Sequence, residues 1–317
     1  MTNQYADYFV VISMRPTLIV VVGPTAVGKT AFSIRLAEHY GTEIVSADAR
    51  QCFRETTIGT AKPTAEEQQR VRHHLVDHLS VAQSYNVKQF EQDALAALAH
   101  IYQQSSWAVA TGGSGLYVKT LCYGIDELPE VSAEVREALR QRWQNEGLAA
   151  LVAELAQVDP AYHATVDRQN HRRVLRALEV YYSTGTPLSD FQGQKPAVAR
   201  PFRICPVGLT LPRAVLYERI EYRVDQMIEA GLVEEARTLY PWRAQQALRT
   251  VGYQEIFPVF AGQYSVEEAI RLIKRNTRRY AKRQLTWFRQ DSSIRWFDAT
   301  LNLETLVDKI TAYVEAR

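Results

Sequence analysis

The first half of the chain alternates short apolar runs with stretches of helical period. Leu18-Ile19-Val20-Val21-Val22 is an unbroken apolar run that predicts a strand over 17–22, and a helical pattern follows from Ala31 to Tyr40. A second apolar run predicts a strand over 43–47 that ends on Asp48. A candidate strand lies over 75–79, Asn86 is placed to cap a helix reaching about 103, and 107–111 reads as a further strand. Strands alternating with helices imply a parallel sheet. Near Glu127-Leu128-Pro129 the pattern changes. Residues 132–182 carry helical periods only, at 133–144, 148–158 and 171–182, the last closed by Gly185-Thr186-Pro187. A polar, proline-containing stretch over 192–201 leads to a new strand at 204–210, and helices dominate afterwards, including 213–230 and 266–289. Repeats and low-complexity tracts are absent from the sequence.

Between the first strand and its helix lies Gly23-Pro24-Thr25-Ala26-Val27-Gly28-Lys29-Thr30, which fits G-x-x-x-x-G-K-[ST]. The strand–loop–helix setting is the one a phosphate-cradling loop requires. Its glycines let backbone N–H groups point inward at a phosphate, Lys29 adds a point charge, and the Thr30 hydroxyl suits Mg²⁺. The expected fold is therefore α/β, a P-loop NTPase-like parallel sheet core formed by 14–129 and 201–317, with an all-helical domain inserted at 130–200.

Composition narrows the setting. The 317 residues hold one large domain or two modest ones, and 46% hydrophobic with 23% charged residues is globular usage. Cys52, Cys122 and Cys205 lack metal spacing, which argues for a reducing compartment and against a disulfide framework. The N-terminus lacks the basic start and long apolar core of a signal peptide, and Phe9-Val10-Val11-Ile12 is too short to span a bilayer. A cytoplasmic protein with no membrane segment is the expectation. Residues 1–13 read as dispensable, with Met14 as a candidate start.

Several positions carry candidate chemistry. Asp48 lies at the carboxyl end of the second strand, the sheet edge that faces the ligand crevice in open α/β sheets. It can bind metal or act as a base there, and a surface turn accounts for it equally well. Gly112-Gly113-Ser114-Gly115 is a second strand-to-helix turn at the same edge. Arg219 and Arg223 stand four apart on one helical face, placed either to hold a diphosphate or to pair with Glu218 and Glu221. His73, His74 and His78 complete no metal site and read as ordinary residues. With a net charge of only +2, affinity for nucleic acid needs local patches, and two exist. One is Arg168, His171, Arg172, Arg173 and Arg176. The other is Arg271, Lys274, Arg275, Arg278, Arg279, Lys282, Arg283 and Arg289, interleaved with Tyr280, Trp287 and Phe288, with no Asp or Glu between Glu268 and Asp291. Arginine interleaved with aromatics suits a nucleic-acid backbone and stacked bases.

Together these residues resemble the tRNA dimethylallyltransferase (isopentenyl-diphosphate:tRNA transferase) family, bacterial type. The likeness runs from residue 17 to about 297 and is carried by Gly23 to Thr30, Ser46-Ala47-Asp48, Ile58-Gly59-Thr60-Ala61-Lys62-Pro63, Gly112 to Tyr117, Arg172-Arg173-Val174-Leu175-Arg176-Ala177-Leu178-Glu179, Val251-Gly252-Tyr253 and Ala281-Lys282-Arg283-Gln284-Leu285-Thr286-Trp287. The resemblance implies transfer of a dimethylallyl group from dimethylallyl diphosphate to the exocyclic amine of the adenosine just 3′ of the anticodon. It implies that Gly23 to Thr30 hold the donor diphosphate, and members are labelled nucleotide-binding for this loop. Asp48 would be the general base, with Lys29, Thr30, Arg219 and Arg223 acting on the diphosphate and Mg²⁺ on Thr30. The tRNA anticodon arm would be met by Asp48, Ala49, Arg50, Gln51, Ser114, Arg136, Arg172, Arg173, Val174, Leu175, Arg176, Arg249, Thr250, Val251, Gly252, Tyr253 and Gln254. A monomer is expected.

The family usually reads D-S-R-Q-x-Y after the second strand, whereas this chain reads Asp48-Ala49-Arg50-Gln51-Cys52-Phe53, and Ser114 stands where threonine is usual. Two hydroxyls are thus missing while Asp48, Arg50 and Gln51 stay. A lost hydrogen bond costs ~0.5–1.5 kcal/mol, so weakened tRNA contact is expected rather than lost activity. A C-terminal Cys/His zinc finger is absent from the sequence. Prenylation of free adenine nucleotides, a P-loop small-molecule kinase, and a tRNA-binding homologue with weakened catalysis remain the competing readings.

Overall fold

The computed structural model describes residues 15–193 and 199–316. The sequence expectations for residues 1–13 and Met14, and part of the polar stretch over 192–201, lie outside the described residues. By compactness the chain divides into two units, Met1–Tyr123 with Arg200–Arg317, and Gly124–Ala199. The helical unit thus starts at Gly124, six residues ahead of the boundary read from Glu127-Leu128-Pro129.

The first unit is built on a six-stranded, wholly parallel sheet. Its strands are β1 (Thr17–Val22), β2 (Ile44–Ser46), β3 (His73–His74), β4 (Trp107–Thr111), β5 (Arg203–Thr210) and β6 (Arg295–Asp298), in the order β3-β2-β4-β1-β5-β6. Every residue of β1 is buried because both faces of the strand are covered. Ile19 and Val21 pack under α1 (Lys29–His39), α9 (Arg213–Glu229) and α13 (Leu303–Glu315). Leu18, Val20 and Val22 face α3 (Val87–Ile101) and α4 (Gly115–Tyr123). This alternation is the period-two geometry of a strand acting on a run with no polar position. A third apolar cluster joins Cys52 and Phe53 to α10 (Leu232–Leu239), α11 (Tyr253–Phe260) and α12 (Val266–Phe288).

Three local differences from the sequence reading have physical causes. The strand expected over 75–79 is not formed. β3 stops at His74, Leu75 and Asp77 adopt positive φ of 63° and 57°, and Leu79 makes only an isolated bridge to Phe53. Left-handed backbone cannot continue a ladder. A short helix, α2 (Ala65–Arg70), precedes β3 and is fixed by a Thr64–Glu67 capping box. The edge strand β6 has no local sequence signal, because its residues are exposed or half-buried and carry no apolar run.

The second unit holds α5 (Ala133–Glu146), α6 (Leu148–Val158), α7 (Pro160–Thr165) and α8 (His171–Thr184). Its own core gathers Leu139, Leu151, Leu155, Val174, Ala177 and Leu178. Gly185, with φ of 72°, supplies the left-handed C-cap that ends α8.

Candidate active site

The carboxyl ends of β1, β2 and β4 converge on one cavity of about 500 Å³. Lys29, Thr30, Asp48, Gln51, Arg219 and Arg223 all line it. It lies where a parallel sheet reverses strand order, with β1 between β4 and β5, the position open α/β sheets use for ligands.

The loop from Gly23 to Gly28 wraps the cavity floor. Gly23 has φ of 148°, and a Cβ there would stand 2.6 Å from the Leu209 carbonyl oxygen, so only glycine fits against β5. Gly28, with φ of 106°, opens α1 without a side-chain cap. The first N–H groups of α1 are therefore left for an anion. Lys29 Nζ donates to the carbonyls of Gly23 at 3.0 Å and Pro24 at 2.8 Å. Burial pushes the Lys29 ammonium down to about 8; Asp48 raises it and Arg223 lowers it. Both bonds go to neutral oxygens, so the charge of Lys29 is uncompensated by any bonded carboxylate.

Arg223 enters from α9. Its guanidinium reaches Thr25 Oγ1 at 3.4 Å and the Ala61 carbonyl at 3.5 Å, both at the far limit of hydrogen bonding. Burial lowers its pKa, against the pull of Asp48 and Glu67. A desolvated guanidinium with only long partners is an anion site in waiting. Arg219 is exposed and, among the described residues, reaches the Val27 carbonyl at 3.5 Å.

Asp48 stands across the cavity at the end of β2, where its Oδ1 accepts from the Arg50 amide at 2.9 Å. Ser114 Oγ accepts from the Ala49 amide at 2.9 Å, which ties the glycine turn after β4 to the segment carrying Asp48. The close approach needs Gly112, because a Cβ there would lie 2.1 Å from the Ala47 carbonyl oxygen. Tyr280 of α12 also lines the cavity. Burial, with Asp48 adding to it, pushes the Tyr280 hydroxyl far above its ordinary pKa and keeps it a neutral phenol.

Arg50 has a role that nothing in its local sequence signals. Its guanidinium donates to the carbonyls of Gln246 at 2.8 Å, Ala247 at 3.2 Å and Arg249 at 3.4 Å. It therefore holds the segment that leads to Thr250 and Val251, both on the cavity wall. Gln51 likewise faces protein, donating to the carbonyls of Thr60 at 3.3 Å and Ala61 at 3.1 Å. Gln284 of α12 was legible only as a letter in A-K-R-Q. It is buried, its Nε2 donates to the Gly113 carbonyl at 2.9 Å, and its Oε1 accepts from the Thr25 amide.

The stretches expected to meet RNA divide by exposure. Arg249 and Gln254 are exposed, whereas Gly252 and Tyr253 are buried, Tyr253 completely. In the helical unit Arg136, Arg172 and Arg173 are exposed, and Leu175 and Arg176 are half-buried. Val174 is 0% exposed and its side chain packs in that unit's core. On α12, counter-charges absent from the local sequence arrive from α9: Asp225 pairs with Lys274 and Glu221 with Arg278. Arg279 and Lys282 stay exposed and outside every ion pair among the described residues.

Among the described residues no group of three His, Cys, Asp or Glu could hold a metal. Among the oxygen donors on the cavity are the Thr30 hydroxyl and the carboxylates of Asp48 and Glu67. Mg²⁺ is commonly held by one or two protein oxygens completed by phosphate and water. The donor set therefore fits Mg²⁺ brought in with a phosphorylated ligand, and not a closed protein cage. Among the described residues no helix is long and apolar enough to cross a membrane.

Comparison with known proteins gives concordant results. A family model described as IPP transferase matches residues 51–291. The chain is 48% identical over 301 residues to a tRNA dimethylallyltransferase of Cytophaga hutchinsonii, covering 95% of this chain and 97% of the relative. It superposes on the full-length tRNA isopentenylpyrophosphate transferase of Bacillus halodurans with a TM-score of 0.71 at 36% identity, covering 95% of this chain and 96% of that one. A eukaryotic dimethylallyltransferase acting on tRNA shares the fold, with a TM-score of 0.80 at 24% identity over 95% of this chain and 80% of that one.

Proposed function

The chain belongs to the IPP transferase family, and from that premise we propose that it transfers a dimethylallyl group from dimethylallyl diphosphate to the exocyclic amine of the adenosine 3′-adjacent to the anticodon of tRNA. The observation that carries the reading is the placement of Asp48 on the same cavity as the phosphate loop and Arg223. A carboxylate facing a diphosphate seat is arranged for chemistry in which diphosphate departs from a carbon that an amine attacks.

In that reaction the amine nitrogen bonds to C1 of the allyl group while the C1–O bond breaks. The bonding electrons leave with the diphosphate, and the amine proton passes to the Asp48 carboxylate. Lys29, the free N–H groups of α1 and the Arg223 guanidinium neutralise charge on the departing oxygens, where preorganised donors act most strongly. Mg²⁺ bound through Thr30 would supply further neutralisation of the diphosphate. Arg219, being exposed, is suited to the outer edge of the same anion. The adenosine must leave its stack to reach Asp48. The exposed cations of α12, and separately those of α8, suit an RNA backbone.

The test is incubation of the purified protein with dimethylallyl diphosphate and unmodified tRNA. Prenylated adenosine in the anticodon loop by mass spectrometry, with one diphosphate released per transfer, supports the reading. Prenylation of free adenine nucleotides alone, or phosphate transfer from ATP, overturns it.

A further inference from the structure

We propose that Glu235, on α10, is a positioning residue for the diphosphate end of the cavity, acting through the loop at 57–61. Its carboxylate closes on three successive backbone amides: Oε2 accepts from Thr57 at 2.9 Å and Ile58 at 2.8 Å, and Oε1 accepts from Gly59 at 2.9 Å. Oε1 also accepts from the Tyr253 hydroxyl at 2.7 Å. Successive amides converging on one carboxylate form an anion nest, and such charge-assisted bonds are roughly twice as strong as neutral ones.

The loop so held needs holding. Ala61, two residues beyond the nest, has φ of 46°, a left-handed conformation that a non-glycine residue keeps only where its surroundings over-determine it. The Ala61 carbonyl in turn faces two cavity residues, accepting from Gln51 Nε2 at 3.1 Å and from Arg223 Nη2 at 3.5 Å. Glu235 therefore acts at one remove on the guanidinium that faces the phosphate loop.

Tyr253 is the second anchor. It is fully buried, and its ring lies so close to Gly59 that a Cβ there would meet Cζ at 2.6 Å. Burial, reinforced by the Glu235 carboxylate, holds its hydroxyl protonated and so a donor at every working pH. Ring and carboxylate thus grip the same loop from one side.

This inference rests on the reading of the cavity as a diphosphate site, and its test separates the two. Inorganic diphosphate binding is measured by calorimetry on full-length Glu235→Gln and Tyr253→Phe, beside kcat and KM for donor and tRNA and the melting temperature. The amide of Glu235→Gln keeps the shape but turns a donor toward backbone donors. Glu235→Gln is expected to weaken diphosphate binding about tenfold and to raise donor KM similarly. KM for tRNA should change less than about threefold. Tyr253→Phe, which keeps the ring on Gly59, is expected to weaken diphosphate binding about threefold. A folded Glu235→Gln protein with wild-type diphosphate affinity and donor KM overturns the proposal, as does a lowered melting temperature with both constants unchanged. A wild-type protein that transfers no prenyl group while the variant still loses diphosphate affinity overturns the functional reading and upholds the positioning role.

Discussion

Gln284 Oε1 accepts the Thr25 amide at 2.8 Å, so helix α12 is bonded directly to the phosphate loop. The other end of the same carboxamide holds the Gly113 carbonyl at 2.9 Å. Gln284→Leu removes both partners without changing much volume. It should destabilise the fold by about 1–3 kcal/mol, the cost of stranding buried polar groups. Urea unfolding measures this, and diphosphate binding should weaken in the same variant because the loop loses its brace.

Asp48→Asn keeps an oxygen for the Arg50 amide while removing the base. Turnover should fall by at least ~10²-fold. Diphosphate affinity should hold or tighten, since a negative charge near Lys29 and Arg223 disappears. Single-turnover transfer beside calorimetric diphosphate binding checks both, and unchanged turnover would remove Asp48 from the base role.

The pH dependence of diphosphate binding follows from Lys29, whose ammonium is pushed down to about 8. Below that pH it is charged and contributes no pH dependence of its own. Above it the free protein carries neutral lysine, so binding must take up a proton and affinity falls by at most about tenfold per pH unit. Calorimetry in buffers of different ionisation enthalpy should detect that uptake at pH 9, and Lys29→Met should abolish it.

RNA binding should depend steeply on salt. Lys282 and Arg283 are exposed on α12 beside the buried Gln284. Replacing both with alanine should reduce the slope of log K against log salt by about 1.5, from roughly 0.7–0.9 per phosphate contact. Filter binding to an anticodon stem-loop at several salt concentrations measures it. An unchanged slope would place the RNA elsewhere.

The strands with unbroken apolar runs, the phosphate loop and the capped helices could be read from the chain because each is a local signal. Asn86 caps α3 through both Lys88 and Gln89 amides, as its position suggested. What could not be read depends on distant partners. Nothing near Arg50 announces that its guanidinium is bonded to carbonyls some two hundred residues away. The long arginine helix looked uncompensated because Asp225 and Glu221 lie on another helix. The failed strand at 75–79 shows the converse: its pattern was right for a strand, but the backbone turns left-handed at Leu75 and Asp77.

The helical unit interrupts the chain between two strands that both pair with β1. Thr17 and Arg203, which pair across the sheet, lie 186 residues apart in sequence. During synthesis β1 therefore waits, half-covered, until nearly two-thirds of the polypeptide has emerged. The intervening 124–199 segment has its own core with which to condense in that interval. Loop-closure entropy grows only logarithmically with length, so the insertion costs the finished sheet little. Its burden is kinetic: β1 keeps an unpaired edge exposed to wrong partners, and the hazard ends only when β5 arrives.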